Sequence, residues 1–173
     1  FGRSTVLESI VTEVAVCNLS EVVVVTGHAP EQIDGLLANY PVRCVFNAEY
    51  DRSEMFVSIQ AGLRALSEKI QAALIVLGDQ PRIQRDTVQQ IVEAYAPHSV
   101  IVPSYQQRRG HPILIDRSLW AVVLALPSAA TLRDFVRSQA DRNRYVEVDS
   151  DSVLHDMDTA QDYQELIHQK DLE

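Results

Sequence analysis

Asp79 follows the apolar run Ala73-Leu74-Ile75-Val76-Leu77 and sits inside the turn Gly78-Asp79-Gln80-Pro81. Five apolar residues closed by Gly and Pro predict a strand buried on both faces, of the kind found in parallel sheets. A carboxylate leaving such a strand emerges at its C-terminal end, the edge at which open α/β sheets bind ligands. There it can hold a divalent cation against a phosphate, or it can cap the turn before the next helix. The four residues alone leave both readings open.

Three other segments carry chemistry with the same ambiguity. Arg108-Arg109-Gly110-His111-Pro112 places two guanidinium groups in one loop of an acidic chain. Guanidinium forks match phosphate oxygens, although a solvated surface loop would read the same way. In His155-Asp156-Met157-Asp158-Thr159 two carboxylates lie two residues apart. Alternate side chains of an extended segment point the same way, so Asp156 and Asp158 either face one cation together or Asp158 and Thr159 cap a helix. Asn47 through Gln60 is a polar loop, with Asn47, Arg52, Ser53 and Glu54, that runs into Met55-Phe56-Val57-Ser58. Such a loop end seats a nucleoside or merely starts a helix. Mg²⁺ takes near-octahedral oxygen coordination and is held by one or two carboxylates together with substrate phosphates and water. Asp79 and Asp158 meet that demand if the last elements fold back beside the central sheet.

Alternating helices and strands must position these residues. Thr5 and Glu8 form a capping-box pattern ahead of an apolar face through Val6, Ile10, Val11, Val14 and Ala15, predicting a helix over 5–17. A β-branched run predicts a strand over 21–27, followed by a helix over 30–39, a strand over 42–46 and a helix over 55–68. After the strand that ends at Asp79, Asp86 and Gln89 suggest a second capping box for a helix over 86–95. Strands are expected over 99–103 and 111–115, then helices capped by Asp116 and Thr131, a strand over 144–148, a short one over 153–155, and a last helix capped by Thr159. This order implies a three-layer α/β/α domain with a mostly parallel sheet, the close pair at 99–115 adding an antiparallel element.

The chain has 173 residues, 46% hydrophobic and 23% charged, which fits one domain with a substantial core. We expect it to span 1–171. Phe1 to Ser4 leads directly into a helix without an initiator Met, so upstream sequence is expected, and Leu172-Glu173 is read as a cloning remnant. A formal net charge of -9 argues against nucleic acid or an anionic membrane surface as partner. No apolar run approaches a membrane span and no signal-peptide pattern opens the chain, so a cytoplasmic protein is expected. Cys17 and Cys44 show no metal-like spacing and are expected to be free, buried thiols. Nothing in the sequence indicates an oligomeric state.

Six short matches in order give the chain a resemblance to a known family. They are Gly2-Arg3-Ser4-Thr5-Val6-Leu7-Glu8, Val25-Thr26-Gly27, Asn47 with Met55 through Leu63, Leu77-Gly78-Asp79-Gln80-Pro81, Arg109-Gly110-His111-Pro112 and Asp156-Met157-Asp158-Thr159. Together they resemble the molybdenum cofactor cytidylyl- and guanylyltransferases, most closely the cytidylyltransferase branch. The resemblance implies a Rossmann-like nucleotidyltransferase fold and Mg²⁺-dependent transfer of a nucleoside monophosphate from an NTP, CTP favoured over GTP. The acceptor would be a small phosphorylated molecule such as molybdopterin, with pyrophosphate released. It further implies Asp79 and Asp158 as catalytic metal ligands, with Asp156 as substitute. Met55, Ser58, Gly78 and Asp79 would lie at the nucleotide, and Arg109, Gly110 and His111 on the acceptor side. The family's Gly-rich loop with Arg and Lys, which precedes the first helix, is not in this sequence. Glu54, Val57 and Ala160 stand where the family has Gly, Ser and Pro. A sugar-nucleotide glycosyltransferase using an Asp156–Asp158 pair, or a non-catalytic nucleotide-binding module, are the competing expectations.

Overall fold

The computed structural model describes residues 5–51 and 55–157. Its first helix, α1 (Val6–Ala15), starts as expected: Glu8 N–H donates to Thr5 Oγ1 at 3.2 Å and Thr5 N–H donates to Glu8 Oε2 at 2.7 Å, a closed capping box. The order then runs β1 (Val23–Thr26), α2 (Pro30–Leu37), β2 (Arg43–Phe46), α3 (Met55–Ala65), β3 (Ala72–Ile75), α4 (Arg85–Glu93), β4 (Val100–Tyr105), β5 (Arg108–Arg109), β6 (Ile113–Asp116), α5 (Trp120–Ala125), α6 (Leu132–Ser138) and β7 (Asn143–Glu147).

Two local expectations are corrected. Helix α4 starts at Arg85 behind Gln84, with no side-chain cap bond, so the Asp86–Gln89 box does not form. Asp86 sits within the first turn, where its charge favours the helix N-terminus without capping it. Residues Asp151–Leu154 form a 3-10 turn in place of a strand. Ser150 Oγ accepts the Ser152 N–H at 3.2 Å, and such local bonding competes with a ladder. Thr159 and the last helix lie outside the described residues.

The strands form two sheets. β1 pairs in parallel with β2, and the second sheet has the order β3-β6-β4-β5 with β7 on the other edge of β4. β6 returns from β4 through the short β5 arm without a helix, so it is antiparallel, and it inserts between β3 and β4. The neighbour of β3 is therefore antiparallel, not parallel as its buried run suggested. The directions of the two sheets agree, because the ends at which β1, β2 and β3 begin lie together. Ser67 N–H, ahead of β3, donates to Glu21 Oε2 at 3.1 Å, and Arg43 donates to the Ala65 carbonyl at 2.6 Å. Consequently β1, β2, β3, β4 and β7 run one way and only β5 and β6 are reversed, which satisfies the expected mostly parallel sheet with an antiparallel element.

Side-chain alternation sorts the core into two layers. Val100 and Val102 of β4 and Ile113 and Ile115 of β6 pack against α3, α5 and α6 on one face. Ile101 and Leu114 face α4 on the other, where Ile10 and Val14 of α1 meet Val88. The result is the three-layer α/β/α sandwich. Cys17 and Cys44 are free and half-buried, and burial pushes both thiols above their ordinary range. No helix among the described residues is long and apolar enough to cross a membrane.

Buried Gln60 ties the layers together. Its Nε2 donates to the Leu126 carbonyl at 3.0 Å, an acceptor that the end of α5 leaves open, and to the Val123 carbonyl at 2.9 Å, which also accepts the Leu126 N–H at 3.3 Å. Gln60→Leu leaves the Leu126 carbonyl without this donor and the Val123 carbonyl with the Leu126 N–H alone, and is expected to lower stability by about 1–3 kcal/mol, measured as a lower urea midpoint at unchanged slope.

Candidate functional site

The ends of the codirectional strands share one edge of the molecule, and every residue singled out from the sequence and described in the structure lies near that edge or on the arm beside it. After β2, buried Asn47 fixes the start of the polar loop three ways. Its N–H donates to the Thr26 carbonyl at 2.8 Å, its Nδ2 to Ser58 Oγ at 3.1 Å, and its Oδ1 accepts the Glu49 N–H at 3.0 Å. Tyr50 then folds over Gly27, where a Cβ would stand 2.6 Å from Tyr50 Cβ, so only glycine permits that approach. Met55, Ser58, Gly27 and Gly78 line a single cavity of about 760 Å³. Three residues expected at the nucleotide, Met55 and Ser58 on α3 and Gly78 after β3, thus border one space.

At the neighbouring strand end the Asp79 turn is sewn to the segment after β7. The Asp79 carbonyl accepts the Met157 N–H at 2.8 Å. Gln80, buried, donates from Nε2 to Asp156 Oδ1 at 2.6 Å. From the other side, the Gly110 N–H donates to the Pro103 carbonyl at 3.0 Å and the His111 N–H to the Val153 carbonyl at 2.9 Å. A Cβ on Gly110 would overlap the Val153 carbonyl oxygen. The Arg-Gly-His-Pro motif is therefore a docking corner for residues 151–157, and those residues in turn carry Asp156 to the Asp79 turn.

The electrostatics follow from this convergence. His111 is mostly buried, and burial pushes its imidazole below the ordinary histidine range, while the charges of Asp156 and Asp79 pull it up. The ring is neutral near pH 7, and its Nδ1 has no partner among the described residues. Arg109 is directed elsewhere: its guanidinium stacks 4.4 Å over the Tyr145 ring, on the exposed sheet surface. Asp158, expected as the second metal ligand, lies outside the described residues. Within them Asp156 is the carboxylate brought to the Asp79 turn. Among the described residues no group of three or more His, Cys, Asp and Glu side chains is placed to hold a metal ion. A carboxylate pair nonetheless fits a hard divalent cation whose remaining positions are filled by phosphate oxygens and water.

Sequence reasoning missed Gln80 as the clamp on Asp156 and the Val153 carbonyl as the acceptor for the corner. The one signal for the latter was Gly110, a glycine flanked by large polar residues where a close backbone approach is required.

Residues 1–144 match the MobA-like NTP transferase domain family. This chain belongs to that family. It is a nucleotidyltransferase domain, and solved structures similar to it agree in fold. The Rv0371c protein of Mycobacterium tuberculosis H37Rv superposes with a TM-score of 0.84 at 21% identity, covering 97% of this chain and 86% of that one. A nucleotidyl transferase from Methanothermobacter thermautotroptrophicus gives 0.82 at 24% identity, covering 96% and 80%. A 4-diphosphocytidyl-2C-methyl-D-erythritol synthase from Anaerococcus prevotii gives 0.80 at 17%, covering 97% and 87%. The sequence matches no curated protein.

Two measurements probe this seam of the transferase domain. Gly110→Ala forces residues 151–157 away from the corner and is expected to cost about 1–3 kcal/mol in chemical unfolding, with a shift of the Asp156 resonances by NMR. For His111, a folded-state pKa below the unfolded one means the unfolded chain binds more protons in acid, so stability is full above about pH 6.5 and falls as the pH drops below it. An NMR titration should place the His111 midpoint below that of a free histidine, and His111→Gln should remove part of the acid-side loss.

Proposed function

We propose that the domain transfers cytidine monophosphate from CTP, in preference to GTP, to a small phosphorylated acceptor such as molybdopterin, with Mg²⁺ bound at the Asp79 turn. One observation carries this reading. The Asp79 carbonyl accepts the Met157 N–H and the neighbouring Gln80 holds Asp156, so Asp156 lies at the Asp79 turn, beside Gly78 of the cavity that Met55 and Ser58 also border. The manganese complex of the Rv0371c protein supports a divalent cation. The cytidylyl enzymes of Anaerococcus prevotii and Leptospira borgpetersenii among the structural relatives support CTP.

In this reading an oxygen of the acceptor phosphate attacks the α-phosphorus, the bond to the β-phosphate breaks, and pyrophosphate leaves with its electron pair. The protein's work is alignment and charge neutralisation. Asp79, with Asp156 or Asp158, would hold the cation, which when bound supplies positive charge against the phosphates. Asn47 holds Ser58 at the nucleotide's border. Neutral His111 offers a nitrogen at the acceptor side without neutralising the carboxylates, and Gly110 keeps the corner closed. Arg109, exposed on β5 and stacked over Tyr145, would have to swing off that ring to meet the incoming phosphorylated acceptor.

Isothermal titration with CTP and GTP in the presence of Mg²⁺, paired with a pyrophosphate-release assay, tests the proposal. CTP should bind more tightly than GTP, and Asp79→Ala should lower turnover at least about a hundredfold while leaving the fold intact by circular dichroism. Binding that ignores Asp79→Ala, or affinity for a sugar nucleotide and for no free NTP, overturns it.

A further inference from the structure

Three aromatic rings gather where β1 and β2 end, and the proposed reaction employs none of them. Phe46, the last residue of β2, is 52% exposed, and Tyr50 on the polar loop is 41% exposed. Their ring centroids lie 6.1 Å apart at 56°, and the His28 ring, just after β1, lies 6.5 Å from Tyr50 at 59°. Tilted rings at such separations attract edge to face, so the cluster keeps its shape while facing solvent. It is also fixed from behind. The Tyr50 N–H donates to the Asn47 carbonyl at 3.3 Å, Tyr50 Cβ lies against Gly27, and Phe46 pairs with Thr26 of β1. Met55, 51% exposed, stands at the far end of the same loop. Three of the six large hydrophobic side chains exposed among the described residues therefore belong to one short stretch of chain. Scattered exposure needs no explanation, but a concentrated patch marks a binding surface. Gly27 and Met55 also border the cavity at the strand ends, which makes the patch continuous with the candidate site.

We propose that Phe46 and Tyr50 form a stacking seat for a planar nitrogen heterocycle carried by a substrate of this site, the base of the nucleotide or the ring of the acceptor. Aromatic faces bind flat heterocycles by stacking and tolerate differences between them. The local charge selects the same chemistry. Exposed Glu49 and Asp51 flank Tyr50, so a phosphate is repelled there, whereas the exocyclic amine of an uncharged ring can donate to a carboxylate. A protein partner fits less well, because a stable interface covers about 800 Å² on each side and this patch is two rings between charged neighbours. The inference deepens the proposed reaction and rests on it for a nucleotide and an acceptor at this edge.

Equilibrium binding without turnover tests it. The chain is titrated calorimetrically with CTP and with inorganic tripolyphosphate, each with Mg²⁺, and with neopterin, a pterin that carries no phosphate. Phe46→Leu keeps an apolar side chain and removes the ring. It should weaken whichever of CTP and neopterin uses the seat by at least about fivefold and leave tripolyphosphate unchanged. A loss for CTP assigns the seat to the base, and a loss for neopterin assigns it to the acceptor ring. Phe46→Trp should keep the affinity and report the contact directly, because a stacked heterocycle quenches the new indole while buried Trp120 stays silent. If Phe46→Leu changes neither CTP nor neopterin binding, or weakens tripolyphosphate equally, the seat is overturned, and CTP binding that still depends on Asp79 leaves the reaction standing. A chain that binds neither CTP nor neopterin overturns both.

Discussion

The site depends on the fit of the Val153 carbonyl against Gly110. Residues 151–157 make few regular ladder bonds, so their position is set by the corner that receives them: the His111 N–H to Val153 on one side, and the Met157 N–H to Asp79 on the other. Between these two backbone bonds the Gln80 amide reaches Asp156. Asp156, late in the chain, is held at the turn that bears Asp79 because a side chain is missing at one position, not because any charge attracts it there. Like charges brought together repel, and backbone geometry supplies the compensating hold.

Direction is the second constraint. Reversal of β6 looks like a disturbance of a parallel sheet, yet it preserves the common edge. Because β6 is inserted between β3 and β4, the two pairings cancel, and β4 and β7 again run with β1, β2 and β3. The segments after β1, β2, β3 and β7 therefore all leave on one side. This topology makes a multi-segment site possible in a family whose chemistry consists of aligning phosphates around a cation.

Burial tunes that site. The His111 ring gives up its charge to the apolar surroundings despite two neighbouring carboxylates, so desolvation outweighs attraction. A protonated ring there would compete with a cation for the same negative charge. Arg109 is stacked on the exposed Tyr145 ring instead.

Local signals carried most of the fold. Capping at Thr5, Asp116 and Thr131, β-branched runs and apolar periodicity are short-range effects written in neighbouring residues, and they gave the element order, the three layers and the strand end bearing Asp79. The six ordered motifs likewise pointed to the family. Sequence could not give the partner of each strand, since pairing depends on which segments meet after the chain has folded. Thus β3 acquired an antiparallel neighbour, the box at Asp86 gave way to a helix start at Arg85, and the expected strand at 153–155 became a turn. The clamp from Gln80 to Asp156 spans 76 positions, and the close approach of Gly110 to Val153 is a contact of the same long range. Residue types and spacing thus determined which groups are available for chemistry. Only tertiary packing decided which of them meet, because proximity across the sheet edge is fixed by steric fit between segments that share no local sequence.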